Sequence, residues 1–206
     1  KNTRITFLTP NVVGSKSQAR RVQPPLGIAC LAGVLDEYGF NKLQIIDSSA
    51  EGYNEVRDLE GDFIEFGLKD EDVIKKLNNF QPHIVGISAL FSSQFGCAER
   101  IGKEIKKKFP NTILVYGGIH ASKEYDNILK ENRYIDYIIT GEADYTFTVF
   151  CDLFEKKKNL KDCPSLAYFD EKENKTKKNY EPPGLDMNEL PLPAWHLMNM
   201  ELYWKI

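Results

Sequence analysis

Apolar residues arrive along this chain in short unbroken runs: ITFL (5–8), LQIID (43–47), HIVGIS (83–88), TILVY (112–116) and YIDYIIT (134–140). None alternates cleanly with polar residues, the pattern expected of strands covered on both faces. Helical patterns stand between them. LGIACLAGVLDEYG follows Pro24-Pro25, is apolar almost all round and stops at Gly39, which predicts a buried helix. KDEDVIKKLNNF (69–80) predicts a short amphipathic helix, and GCAERIGKEIKKKF (96–109) repeats apolar residues at Ala98, Ile101, Ile105 and Phe109. SKEYDNILKE (122–131) and YTFTVFCDLFEKK (145–157) complete the set; Tyr145, Phe147, Phe150 and Phe154 are spaced as core residues. The acidic stretch from 48 to 68, with scattered aromatics, reads as loop or irregular helix.

Strands alternating with helices predict right-handed crossovers and an α/β fold. The expectation is a Rossmann-like, flavodoxin-like doubly wound sheet of five parallel strands over residues 1–160. From 161 to 206 the style changes. PSLAYFD and KTKKNY flank a polar turn and predict a small hairpin. The proline-rich EPPGLDMNELPLPAWHL then predicts an extended linker.

Composition narrows the function without naming it. The chain is 42% hydrophobic and 28% charged, with a net charge of −3. That balance gives no electrostatic push towards nucleic acid or an anionic membrane, and the lysine-rich runs read as solvated surface. No apolar run approaches membrane-spanning length, and KNTRITFLTP has no signal-peptide core. Cys30, Cys97, Cys151 and Cys163 form no C-x-x-C pair, so they read as reduced structural thiols in a cytoplasmic protein. The chain starts without Met and stops at LYWKI, which reads as a piece of something longer.

In a doubly wound sheet, ligands bind beyond the carboxyl ends of the strands. The loops there are TPNVVG, SALFSSQ, GGIHAS and GEADYT, and three are rich in small residues that let backbone approach a bulky ligand. No G-x-G-x-x-G or G-x-x-x-x-G-K-[ST] is present, and Thr9-Pro10-Asn11 stands where a receiver domain needs an acidic pocket.

Ser88-Ala89-Leu90 precedes Gly117-Gly118 with 26 residues between. This resembles the Ser-x-Leu and Gly-Gly motifs of cobalamin-binding domains. Their first motif, Asp-x-His-x-x-Gly, is here Thr9-Pro10-Asn11-Val12-Val13-Gly14, which keeps the glycine and has Asn11 in place of histidine. PPLGIACLAGVL, PHIVGIS, VYGGIHAS, YIITGEADYTF and LDMNELPLPAWHLM resemble one branch, the cobalamin-binding domain at the front of radical S-adenosylmethionine enzymes. In that branch the histidine is commonly absent.

The resemblance implies a binding and orienting module, not catalytic alone, of a methyltransferase or cyclase-like enzyme. S-adenosylmethionine and a 4Fe-4S cluster belong to a C-terminal radical S-adenosylmethionine domain of the same parent chain. Cobalamin is expected base-off, its nucleotide tail threaded along the strand ends and no protein histidine on cobalt. The implied contacts are Thr9, Asn11, Gly14, Ser88, Ala89, Leu90, Gly117, Gly118, His120, Gly141 and Glu142, with backbone amides of 12–14 and 141–143 near the corrin propionamides. No metal-ligating or catalytic residue is expected. Arg20 and Arg21 read as solvated surface rather than phosphate contacts. A cofactor-free interaction or sensor domain stays open beside this reading, because Asn11 and the missing first-motif Asp depart from the family pattern.

Overall fold

The computed structural model describes residues 1–182 and 187–205. Its strands are β1 (Ile5–Thr9), β2 (Val12–Ser15), β3 (Leu43–Asp47), β4 (Val56–Asp58), β5 (Phe63–Phe66), β6 (Ile84–Ser88), β7 (Ile113–Gly117), β8 (Tyr137–Ile139), β9 (Leu166–Asp170) and β10 (Lys175–Lys178). Its helices are α1 (Leu26–Glu37), α2 (Ser48–Glu51), α3 (Asp70–Phe80), α4 (Ser92–Lys108), α5 (Ile119–Glu131), α6 (Asp144–Glu155) and α7 (Glu201–Lys205).

The central sheet runs β10-β9-β8-β7-β6-β1-β3. From β3 to β8 all neighbours are parallel. Taken in chain order, those five strands lie 2-1-3-4-5, the flavodoxin-like arrangement. The expected five-stranded sheet is corrected to seven strands: β9 pairs antiparallel with β8, and β10 with β9. The reason is an open edge. β8 has only three residues, and the apolar start of β9 (Leu166, Ala167) covers its unpaired backbone groups.

Side chains alternate between two buried faces. Leu8, Ile46, Val85, Ile87, Leu114, Tyr116 and Ile138 meet α3, α4 and α5. Ile5, Phe7, Ile84, Val115 and Ile139 meet α1 and α6. Burial on both sides explains the unbroken apolar runs.

A second sheet, β2-β5-β4, was not expected. It is antiparallel; β4 and β5 occupy the stretch read as loop or irregular helix, and β2 lies in the polar loop after β1. Glu65, buried in the middle of FIEF, breaks the hydrophobic pattern that would have announced a strand.

The expected linker is not free chain. Leu185 and Asp186 of its L-D-M-N-E-L segment lie outside the described residues. Pro191 to His196 forms a strap over the outer surface of α1, where the Ala194 amide donates to the Ala29 carbonyl at 2.8 Å. Gly33 permits this approach, since a Cβ there would stand 2.4 Å from the Leu192 carbonyl oxygen. α7 then returns to β3, where the Tyr203 hydroxyl donates to Asp47 Oδ2 at 2.6 Å. All four cysteines are free, and burial pushes Cys97 up to about 11 and Cys163 up to about 12. Among the described residues, no helix is long and apolar enough to cross a membrane.

Gly33→Ala tests the seating of the strap. The substitution favours helix by about 1 kcal/mol, yet the strap backbone must move. Limited proteolysis should cut between 187 and 200 several-fold faster in the variant, with far-ultraviolet circular dichroism unchanged. An unaltered cleavage rate would mean that the strap does not depend on this contact.

Candidate functional site

Strand order reverses between β1 and β6, and there the α1/α6 face of the sheet stands away from its helices. A cleft of about 520 Å³ opens from the carboxyl edge and runs down that face. This lies within the ~300–1,000 Å³ of ordinary ligand sites. Its inner end is apolar: Phe7, Gly86 and Val115, level with one another in the sheet, with Phe147 of α6 and Ile28 and Leu31 of α1; Ile139 stands nearer the mouth, past the Tyr116–Ile138 pair. Polar groups gather at the mouth: Ser88, Ser122, Thr140, Glu142 and Asp144, with the Lys178–Glu181 ion pair (3.1 Å) at one side.

Six of the expected residues line this cleft: Ser88, Leu90, Gly117, Gly118, Gly141 and Glu142. The Ser88 hydroxyl has no hydrogen-bond partner among the described residues. Ala89 is buried behind the wall and ties it together. Its amide donates to the Gly117 carbonyl (2.7 Å), and its carbonyl accepts from the His120 and Ala121 amides that begin α5.

The two glycines of the Gly-Gly pair have different reasons to be glycine. Gly118 sits at φ +101°, and a Cβ there would meet the Ala89 carbonyl oxygen at 2.9 Å. The turn itself requires it. Gly117 has no such constraint: a Cβ would find nothing nearer than the Ile139 carbonyl oxygen at 3.9 Å. Its missing side chain is open cleft.

Thr9, Asn11, Gly14 and His120 are not among the residues lining the cleft. The Thr9 hydroxyl donates to Asp47 Oδ1 (2.7 Å), and Gly14 pairs with Ile64 in the second sheet. Asn11 is buried. Its amide donates to Glu65 Oε1 (2.6 Å) and the Leu68 carbonyl (3.1 Å), and its oxygen accepts from the Ser48 hydroxyl. Glu65 also accepts from Arg57 (3.0 Å) and, through both oxygens, from Arg100 (2.9 and 2.6 Å). Burial opposes ionisation of Glu65. The Arg100 and Asn11 hydrogen bonds and the charges of Arg100 and Arg57 outweigh it and bring the carboxyl down to about 2.

None of the three histidines lines the cleft. His120 Nδ1 stands 3.0 Å from the Ser92 hydroxyl, with its ring against Phe95. His83, at the opposite edge, accepts the Arg4 amide at Nδ1 (3.0 Å), and burial together with the Arg4 charge lowers its pKa. His196 sits 3.6 Å from Asp36. Arg20 stacks on Tyr53 and donates to its carbonyl rather than pointing to solvent. Among the described residues, no group of three or more His, Cys, Asp or Glu is placed to hold a metal ion.

The sequence reading passed over Gly86, Phe147 and Asp144. A glycine inside HIVGIS was a legible sign of close approach. Asp144 heads α6 inside GEADYT; burial, then the charge of Glu142, raises its carboxyl above the usual range.

Comparison with known proteins agrees with this geometry. Among solved structures, a cobalamin-dependent S-adenosylmethionine radical enzyme, OxsB, with aqua-cobalamin bound superposes on 99% of this chain with a TM-score of 0.76 at 22% identity, using 25% of its own chain. A radical S-adenosylmethionine methyltransferase, TsrM, of Kitasatospora setae superposes on 86% of this chain, with a TM-score of 0.65 at 16% identity and 30% of its own chain covered. At these identities the likeness is one of fold. Residues 16–150 match the family model of the B12 binding domain, and the chain belongs to that family.

Its relatives include a cytidylyl-2-hydroxyethylphosphonate methyltransferase of Streptomyces wedmorensis, 26% identical over 98% of this chain and 42% of that protein. An uncharacterized methyltransferase of Pyrococcus horikoshii is 31% identical over 97% of this chain and 39% of its own. An anaerobic magnesium-protoporphyrin IX monomethyl ester cyclase of Rubrivivax gelatinosus is 26% identical over 97% and 34%. The chain thus spans between 34% and 42% of the length of these relatives.

Two outcomes follow from the Asn11–Glu65–Arg100 cluster. A carboxyl whose pKa falls from 4.5 to about 2 on folding contributes stability above pH ~4.5 and loses it as pH drops towards 2. Urea midpoints should therefore decline over that window, and Glu65→Gln should flatten part of the decline. Asn11→Ala should cost about 1–3 kcal/mol at neutral pH, since it strips partners from Glu65, Ser48 and Leu68.

Proposed function

We propose that this chain is the cobalamin-binding module of a radical S-adenosylmethionine enzyme and takes the cofactor base-off, its nucleotide tail in the cleft between the sheet and helices α1 and α6. The observation that carries the reading is the cleft itself, entered past Ser88 and Gly117 and widened where Gly117 lacks a side chain. Apolar residues suit an aromatic base at the inner end, and the unpartnered Ser88 hydroxyl suits a ring nitrogen at the mouth. Leu90, Phe91 and Ile119, 43%, 60% and 67% exposed, form an apolar rim on which a corrin ring can rest. Gly141 and Glu142 flank the same rim, with Glu142 an acceptor for propionamide N–H groups.

Asn11 belongs to the packing of the second sheet in this reading, and no histidine lines the cleft. Both support cobalt without a protein ligand. Bound cobalamin supplies a cobalt centre able to carry a methyl group. The chain's own residues bind the tail, orient the corrin and exclude water from the inner cleft. S-adenosylmethionine and the 4Fe-4S cluster fall to a C-terminal radical S-adenosylmethionine domain of the parent protein. The parent's reaction is methyl transfer or a related radical chemistry.

Gly117→Leu separates binding from folding. A Cβ at this position meets no atom nearer than the Ile139 carbonyl oxygen at 3.9 Å, so the added side chain extends into the cleft. The variant should keep its melting temperature and lose about tenfold to a hundredfold in hydroxocobalamin affinity, the ~1–3 kcal/mol of an overpacked site. The unmodified protein should retain cobalamin after desalting with a base-off absorbance spectrum. A histidine-ligated spectrum, or undiminished binding by Gly117→Leu, would refute the proposed seating.

A further inference from the structure

The cleft has a polarity gradient. Its inner end presents ring faces and edges of Phe7 and Phe147, whose centroids lie 5.3 Å apart, over the bare backbone of Gly86. Val115 and Ile28 close the sides, and Ile139 lies nearer the mouth. No side-chain donor or acceptor belongs to this inner set, and the backbone groups of β6 and β7 there are committed to the sheet. Hydrogen-bonding side chains begin only at the mouth, with Ser88, Thr140 and Asp144.

Resting on the cobalamin reading, we propose that this gradient selects the base of the cofactor's nucleotide, taking a benzimidazole with its dimethyl edge innermost and rejecting a purine. A dimethylbenzimidazole in the base-off state has one free ring nitrogen, which Ser88 can reach at the mouth, and every other edge atom is carbon. An adenine in its place carries an exocyclic amine and further ring nitrogens. Those groups would be buried against phenylalanine, valine and isoleucine with no partner, the situation in which apolar sites discriminate hardest. Gly86 sets the depth. A Cβ there would meet Phe7 Cδ1 at 3.3 Å and Phe147 Cζ at 3.7 Å, so it would raise the floor by one methyl without touching backbone.

The test is a titration of the 206-residue chain, followed by absorbance, with four probes: cobalamin, its benzimidazole analogue without the two methyls, the adenine cobamide, and cobinamide, which has no nucleotide. The expected order is cobalamin, then the benzimidazole cobamide, with the adenine cobamide weaker than cobalamin by about tenfold or more. Gly86→Ala should narrow the gap between the first two, because the methyls lose their space, while leaving cobinamide binding unchanged. Adenine cobamide binding as tightly as cobalamin, both above cobinamide, would overturn the selectivity and leave the cobalamin module standing. Equal binding of all four would overturn it by showing that the tail does not enter the cleft. No binding of any would remove the cobalamin reading and this inference with it.

Discussion

Helices α1 and α6 cover one face of a parallel sheet, but they cannot close on it over its whole length. Towards the carboxyl edge, the positions of that face are Gly86 and Ser88 on β6 and Gly117 on β7, where a covered sheet normally carries valine or isoleucine. Further back, Ile5 and Ile84 restore the volume and the layers meet. Two glycines and a serine, framed by larger packed residues, leave a cleft rather than a collapsed layer because the helices are held elsewhere. Phe150 and Cys151 of α6 and Leu35 of α1 are fully buried against the packed half. The site is therefore a consequence of where volume was removed from a core that is otherwise complete.

The opposite side of the switch point holds a buried polar cluster built around Asn11. Asn11 occupies the place of the first-motif histidine, and its amide is spent wholly inside the protein, on Glu65, Leu68 and Ser48. Glu65 and its two arginines extend the cluster to β4, β5 and α4. Such a buried charge is costly unless every lone pair is used, and here the carboxylate accepts from three side chains. The loop after β1 is thereby fixed against the second sheet, away from the cleft.

The five parallel strands and their helices were legible because both sheet faces are buried, so apolar runs map directly onto strands. The second sheet was not, because Glu65 places a charge where the pattern needed an apolar residue. The extra pair of strands was seen as a hairpin, but its attachment to β8 depends on an edge that no local pattern reports. For the site, the Ser-x-Leu and Gly-Gly segments pointed to the cleft. Gly117 and Gly118 show the limit of such reading: adjacent identical letters, one demanded by a positive φ and the other by open space. Only the backbone geometry tells them apart.

The tail adds a constraint that reaches the cleft. The first two turns of α1, through Leu26, Ile28 and Leu31, form one wall. The outer surface of the same helix carries the strap, whose Ala194 amide shares the Ala29 carbonyl and whose Leu192 carbonyl lies against Gly33. The strap ties the outer surface of α1 to the tail by one backbone hydrogen bond and one close backbone approach. The chain then continues to α7, where Tyr203 bonds Asp47, the residue that also accepts from Thr9 at the end of β1. Strap and terminal helix thus brace α1 and the strand ends beside the switch point. The segment read as a linker is, in structural terms, packed onto the helix that walls the cleft.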